Sequence, residues 1–300
     1  MKKPTLRRPW EVPAGGRRRE VPAGGFAAAF LLGALISCTP STSNAPKLAA
    51  ATGPTASSSR GAPGTFENTR SVPVSQDALA VVNAPDRSEA DKKLDAGRHP
   101  AELLSFFRIV PGMKVAEISA GGGYTTELLA RAVGPGGKVY GQNSKWILER
   151  FAEKPWSERL AKPIMKNVVR VDRDFDDPLP PEAKDFDAVF CVLFYHDLFW
   201  LDANRDKMNR AVYAALKPGG LYAIVDHSGR EGTGSTEAKT LHRVEEKLVR
   251  AEIEKAGFRL RADGSFLRNP SDTRDWNDSP GAAGERRGTS DRFVLAFEKP

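Results

Sequence analysis

The stretch VAEISAGGGYTTELLA, residues 115–130, decides the fold. Its apolar, β-rich start, Val115 to Ile118, runs into three consecutive glycines, Gly121, Gly122 and Gly123. An amphipathic helical pattern begins at once. The spacing predicts a strand over 114–119, a tight turn, and a helix over 125–133. Glycines at such an elbow permit positive φ and let the backbone approach a ligand closely. The first N–H groups of the following helix have no partner within the helix and point at the same place.

The pattern repeats outward. Strands are predicted over 138–142, 167–171, 187–194 and 221–225, and two more over 258–261 and 292–297. Helices are predicted around 146–153 and over 208–216 and 245–256. The run from Asp187 to Phe194 is almost continuously apolar, as expected of a strand covered on both faces. Lys217-Pro218-Gly219-Gly220 is a strong breaker. Alternating strands and helices imply an α/β fold, a doubly wound, seven-stranded, mostly parallel sheet. The last two strands lack a good helix between them, so one antiparallel edge strand is expected.

The first part of the chain reads differently. Residues 1–25 are basic and contain EVPAGG twice, followed by the apolar run FAAAFLLGALIS, residues 26–37, and Cys38. The run is too short to span a membrane permanently but suits the core of a secretory signal. Leu35-Ile36-Ser37-Cys38 resembles a bacterial lipobox, which implies a lipid anchor at Cys38. Residues 39–77, rich in Ser, Thr, Ala, Pro and Gly, are expected to be a disordered tether. Residues 78–300 are expected to fold. The expected location is the cell envelope, on the periplasmic side, or the cytoplasm if the leader is not a true signal.

The chain carries a formal charge of +7. Seven Lys/Arg and two Glu fall in residues 1–38, so +5 of it sits there. The basic balance therefore belongs to the leader, and no nucleic-acid partner is expected. Of the two cysteines, Cys191 lies in an apolar strand and is expected as a buried thiol.

A carboxylate or a phosphate suits the elbow, so dinucleotides and S-adenosylmethionine compete as ligands. A dinucleotide fingerprint needs a third glycine that this spacing lacks. Glu117-x-Ser119-x-Gly121-x-Gly123 resembles the first motif of class I S-adenosylmethionine-dependent methyltransferases, with serine at the first glycine. The similarity extends to a group of predicted bacterial methyltransferases through Tyr195-His196-Asp197, Val225-Asp226-His227, Thr240-Leu241-His242-Arg243 and Leu267-Arg268-Asn269-Pro270. The resemblance implies S-adenosylmethionine as cofactor and an unidentified small-molecule or envelope acceptor. It implies cofactor contacts at Glu117, Ser119, Ala120, Gly121, Gly122, Gly123, Tyr124 and Tyr195. It further implies a ribose contact at Asn143, where the family has an acid, and an adenine contact at Asp174 with Phe175 packing beside it.

His196 and His227 follow neighbouring strands and are expected at the ligand crevice. Methyl transfer needs alignment, and a base only where the acceptor must lose a proton. His196, Asp197 and His227 are therefore the candidate catalytic residues, with Asp197 or Asp226 orienting an imidazole. Arg268, or His242 with Arg243, is available to an acceptor. His196, Asp197, Asp226 and His227 match no known metal-ligand spacing, so no metal is expected. The contrasting reading is a tethered, non-catalytic module of the same fold that binds a nucleoside-like ligand or a protein partner.

Overall fold

The computed structural model describes residues 73–300. The leader, Cys38 and most of the expected tether lie outside them. Three helices open the domain: α1 (Gln76–Val82), α2 (Glu89–Arg98) and α3 (Pro100–Phe106). Ser75 and Ser88 cap the first two, each hydroxyl accepting from a backbone N–H of the first turn. The alternation then begins with β1 (Lys114–Ile118), α4 (Tyr124–Val133) and β2 (Lys138–Asn143).

After β2 the chain runs through α5 (Lys145–Ile147), a π turn (Leu148–Ala152) and α6 (Glu153–Leu160). This stretch is longer than the sequence suggests. Pro155 has no N–H to give to the carbonyl four residues back, and the helix absorbs the defect in the π turn. Next come β3 (Val168–Asp172), β4 (Phe186–Val192), α7 (Asp197–Trp200), α8 (Arg205–Ala215) and β5 (Leu216–His227). The chain closes with α9 (Ala238–Leu241), α10 (Glu246–Lys255), β6 (Arg259–Gly264) and β7 (Arg292–Glu298).

The seven strands form one sheet in the order β3-β2-β1-β4-β5-β7-β6. The strands β1 to β5 pair in parallel, and β7 runs antiparallel between β5 and β6. The antiparallel strand lies at the expected end of the sheet, one place in from the rim. Lys217–Gly220 bulges out of the pairing: Phe186 faces Leu216, and two residues later Ala188 faces Leu221. The central strands carry most of the apolar core, with Val115, Ile118, Val189, Phe190, Ile224 and Leu295 inaccessible to solvent. Cys191 is buried among them, and burial pushes its thiol well above the ordinary range. Among the described residues no helix is long and apolar enough to cross a membrane.

Between β1 and β4 the chain order reverses direction across the sheet. Loops leaving the carboxyl ends of these strands diverge to either side, and a crevice opens between them.

Candidate functional site

A cavity of about 930 Å³ occupies this crevice. Its walls come from the chain after β2 (Trp146, Ile147, Phe151), after β4 (Leu193, His196, Asp197, Trp200) and at the end of β5 (His227). The end of α2, the end of α9 and the loop before β7 close it with Arg98, His242 and Asp278. Its size lies within the ordinary range for small-molecule sites.

None of the elbow residues 119–124 lines this cavity, and the elbow is held by side chains from β2 and α6. Asn143 accepts from the Gly121 N–H at 2.8 Å and donates to the Gly121 carbonyl at 3.1 Å. Gln142 accepts from the Ser119 N–H at 2.9 Å and donates to the Arg173 carbonyl at 2.6 Å. Arg159 of α6 donates to the Gly122 carbonyl at 2.6 Å and pairs with Asp91 of α2 and Glu127 of α4. Gly123 has φ +82°, and a β-carbon there would lie 2.5 Å from the Trp156 ring. Gly121 also has positive φ, yet nothing lies within 4 Å of where its β-carbon would be. One glycine is required by packing; the other leaves open space in front of the backbone.

Several expected cofactor contacts are spent on the protein itself. Asn143 is fully buried, and its amide is turned onto Gly121 rather than toward a ribose. Glu117 is buried and accepts from Thr126 Oγ1; burial, only partly offset by Thr126 and Thr125, raises its carboxyl to about 7. Tyr124 donates to Asp95 at 2.6 Å, and its ring carries the Arg98 guanidinium at 4.4 Å. Tyr195 points away, donating to Glu252 and accepting from Asn209 among the helices α8 and α10. Phe175 packs on Phe194, while Asp174 is exposed and does not line the cavity. Ala120 is buried, its N–H donating to the Gln142 carbonyl.

The expected catalytic residues do come together. His196 is enclosed: Nδ1 lies 2.7 Å from Asp226 Oδ1, and its own N–H donates to Asp226 Oδ2. Its Nε2 lies 3.1 Å from Asp197 Oδ1 and 3.2 Å from His242 Nδ1. Burial opposes a charged imidazole here, but the carboxylates of Asp226 and Asp197 outweigh it and lift His196 to about 10. His227, its ring 5.4 Å from that of His196, has a different environment. Its Nδ1 lies 2.9 Å from Ser290 Oγ and against the Asp278 carboxylate. Burial holds His227 below the ordinary histidine range, against the pull of Asp278.

Asp278 carried no signal in the sequence. It sits in the loop before β7, where its N–H donates to the Leu241 carbonyl. The loop is pinned by a buried ion pair between Arg243 and Asp272. Arg243 is therefore a structural residue and is not available to an acceptor. Arg268 pairs with Glu246 and lies outside the cavity wall. Arg98 was also missed. It lines the cavity, and among the described residues none forms an ion pair with it; the Tyr124 ring carries it instead.

A family model described as a methyltransferase domain matches residues 116–224. Solved structures similar to this chain include a SAM-dependent methyltransferase from Aquifex aeolicus, at 19% identity and a TM-score of 0.47, covering 75% of this chain and 100% of that one. The CcbJ methyltransferase from Streptomyces caelestis is similar at 18% identity and a TM-score of 0.46, covering 71% and 99%. Aeropyrum pernix fibrillarin, in complex with natively bound S-adenosyl-L-methionine, is similar at 12% identity and 0.41, covering 63% and 67%.

Proposed function

We propose that the chain is a class I S-adenosylmethionine-dependent methyltransferase that methylates a protic nucleophile of a small, partly apolar molecule held in the cavity, a reading supported by the methyltransferase-domain match over residues 116–224. The observation that carries this reading is the His227–Asp278 pair opening on the cavity. Nδ1 of His227 faces Ser290 Oγ and the Asp278 carboxylate; a proton held there leaves the lone pair on Nε2, the ring nitrogen left for the cavity. That arrangement fixes the tautomer of a base.

When bound, S-adenosylmethionine supplies an electrophilic methyl group on a sulfonium. The residues present fit it. The space in front of Gly121 admits a ligand against the elbow. The Arg98 guanidinium offers its free donors to a carboxylate. Trp146 and Ile147 offer apolar surface to a flat ring system. His227 takes the acceptor's proton at Nε2, Asp278 holds the imidazole in register, and Trp200 with Phe151 excludes water from an apolar acceptor body.

The test is calorimetric titration of the chain with S-adenosylmethionine and its demethylated product, with methyl transfer to a small-molecule or envelope extract. Both compounds should bind. Replacing His227 by Asn should leave cofactor affinity unchanged and lower turnover about 10²–10⁴-fold. Absence of heat with either compound would move the non-catalytic reading ahead.

The location is part of the same reading. A lipid on Cys38, with residues 39–77 as tether, would hold the domain at the cell envelope with its cofactor bound before export. A Cys38→Ala chain should then appear in the soluble fraction. Unchanged fractionation, with no lipid label on the parent chain, would end this part of the proposal.

A further inference from the structure

We propose that His196, Asp197 and His242 form a binding site for one divalent transition-metal ion, of the zinc or cobalt kind, in the wall of the cavity. Three donor atoms converge there from two separate segments: His196 Nε2 and Asp197 Oδ1 after β4, and His242 Nδ1 after α9. Their mutual separations are 3.1 Å, 3.2 Å and 3.1 Å. Ligand bonds of about 2.0–2.1 Å place neighbouring donors roughly 2.9–3.4 Å apart in octahedral to tetrahedral geometry. A single ion above this triangle reaches all three.

The donor set and its surroundings are those of a built site. Two imidazoles and one carboxylate suit zinc, cobalt and iron(II), and three protein ligands leave a position open for a further ligand. All three residues border the cavity, so the open position faces it. His196 gives its other ring nitrogen to Asp226 Oδ1 at 2.7 Å. That bond leaves the lone pair of a neutral imidazole on Nε2, aimed at the other two donors. Asp226 is fully buried and also accepts the backbone N–H of His196 and of His227, so it cannot swing away. Trp200 Nε1 donates to Asp197 Oδ1 at 2.8 Å and fixes the carboxylate while a second lone pair remains. The backbone of His242 is held in the left-handed region at φ 53°.

The competing arrangement is a hydrogen-bonded cluster in which a protonated His196 and His242 both donate to Asp197. The two differ in whether an ion binds, and neither cofactor nor acceptor is needed to tell. The inference therefore stands or falls apart from methyl transfer.

The full chain without an affinity tag, stripped with a chelator and dialysed, is titrated with Co(II) while the visible spectrum is recorded. One equivalent should produce d–d bands, and Zn(II) should displace them. His242→Ala and Asp197→Asn should each abolish the bands. Asp226→Asn should weaken Co(II) binding 10–100-fold while keeping the bands at saturation. His99→Ala, remote from the cluster, should leave binding unchanged. Circular dichroism melting of each variant separates loss of ligand from loss of fold, and His242→Gln provides a second, polar replacement at a partly exposed position. Absence of bands at stoichiometric Co(II) would overturn the proposal. So would bands that survive both His242→Ala and Asp197→Asn in folded protein. Either outcome would assign the three side chains to the hydrogen-bonded cluster.

Discussion

Asn143 meets Gly121 twice, accepting from its N–H and donating to its carbonyl. The amide thereby closes a small ring around the open glycine, and the end of β2 is tied to the elbow after β1. An acid cannot do this. The Asn143→Asp chain loses the donor to the Gly121 carbonyl and gains a charge at a fully buried position. It should lose about 1–3 kcal/mol of stability and bind S-adenosylmethionine more weakly, despite the acid that the family carries at this position. Thermal unfolding and cofactor titration check both effects. Tighter binding by the Asp variant would show that the side chain turns outward.

Gly121 and Gly123 should respond in opposite ways to the same replacement. Alanine at 121 meets no atom within 4 Å, so it carries only the left-handed backbone cost of about 1–2 kcal/mol. It fills the space in front of the elbow and should sharply reduce cofactor binding in a folded protein. Alanine at 123 collides with Trp156 and Arg159 and should cost about 3 kcal/mol or more. Melting curves and calorimetry on the two variants separate the roles.

Arg159 joins three segments that otherwise have no covalent reason to meet. Removing it leaves Asp91 buried without its ion-pair partner, while Glu127 keeps Arg131 and Lys162. Arg159→Ala should cost about 3–5 kcal/mol. Arg159→Lys should recover part of this, because one ammonium cannot reproduce the two-pronged contact to Asp91. Denaturant unfolding of the three chains gives the comparison.

Glu117 should make stability fall as pH rises. Its carboxyl is raised to about 7 in the fold and titrates near 4.5 when exposed. Between these values the folded chain holds a proton that the unfolded chain has released, so the stabilisation present at low pH is lost toward neutrality. The loss amounts to about 3 kcal/mol across that window. Glu117→Gln should flatten this part of the stability–pH profile and be the more stable chain at pH 8. Equal slopes in the two chains would show that the carboxylate is already ionised in the fold.

What the sequence made legible is what local pattern encodes. The strands around 115–118 and 186–192, the turn at Gly121–Gly123 and the helix after it follow from period and punctuation. His196 and His227 come together because one follows β4 and the other ends β5, and the two strands are neighbours. Residue direction was not legible. Asn143 and Glu117 lie where expected along the chain, but whether a side chain faces the ligand or the protein depends on what packs behind it. Arg98 and Asp278 were missed for another reason: each ends a helix or sits in a loop without periodicity, and both reach the cavity only through long-range folding. The π turn ahead of Pro155 escaped because a local defect was absorbed by a register change rather than by a break.

Arg292 at the start of β7 hydrogen-bonds the Gly97 carbonyl at the end of α2, and Gly97 itself is packed against Gly288 so closely that no side chain fits between them. The chamber is thus shut by two segments nearly the whole folded length apart. A growing chain on the ribosome has no chamber at all until its last strand is out, and a nascent or threaded polypeptide cannot carry a ligand in it. Loading is an event of the finished molecule, and any truncation from the carboxyl end removes the closure before it reaches a single residue of the glycine elbow.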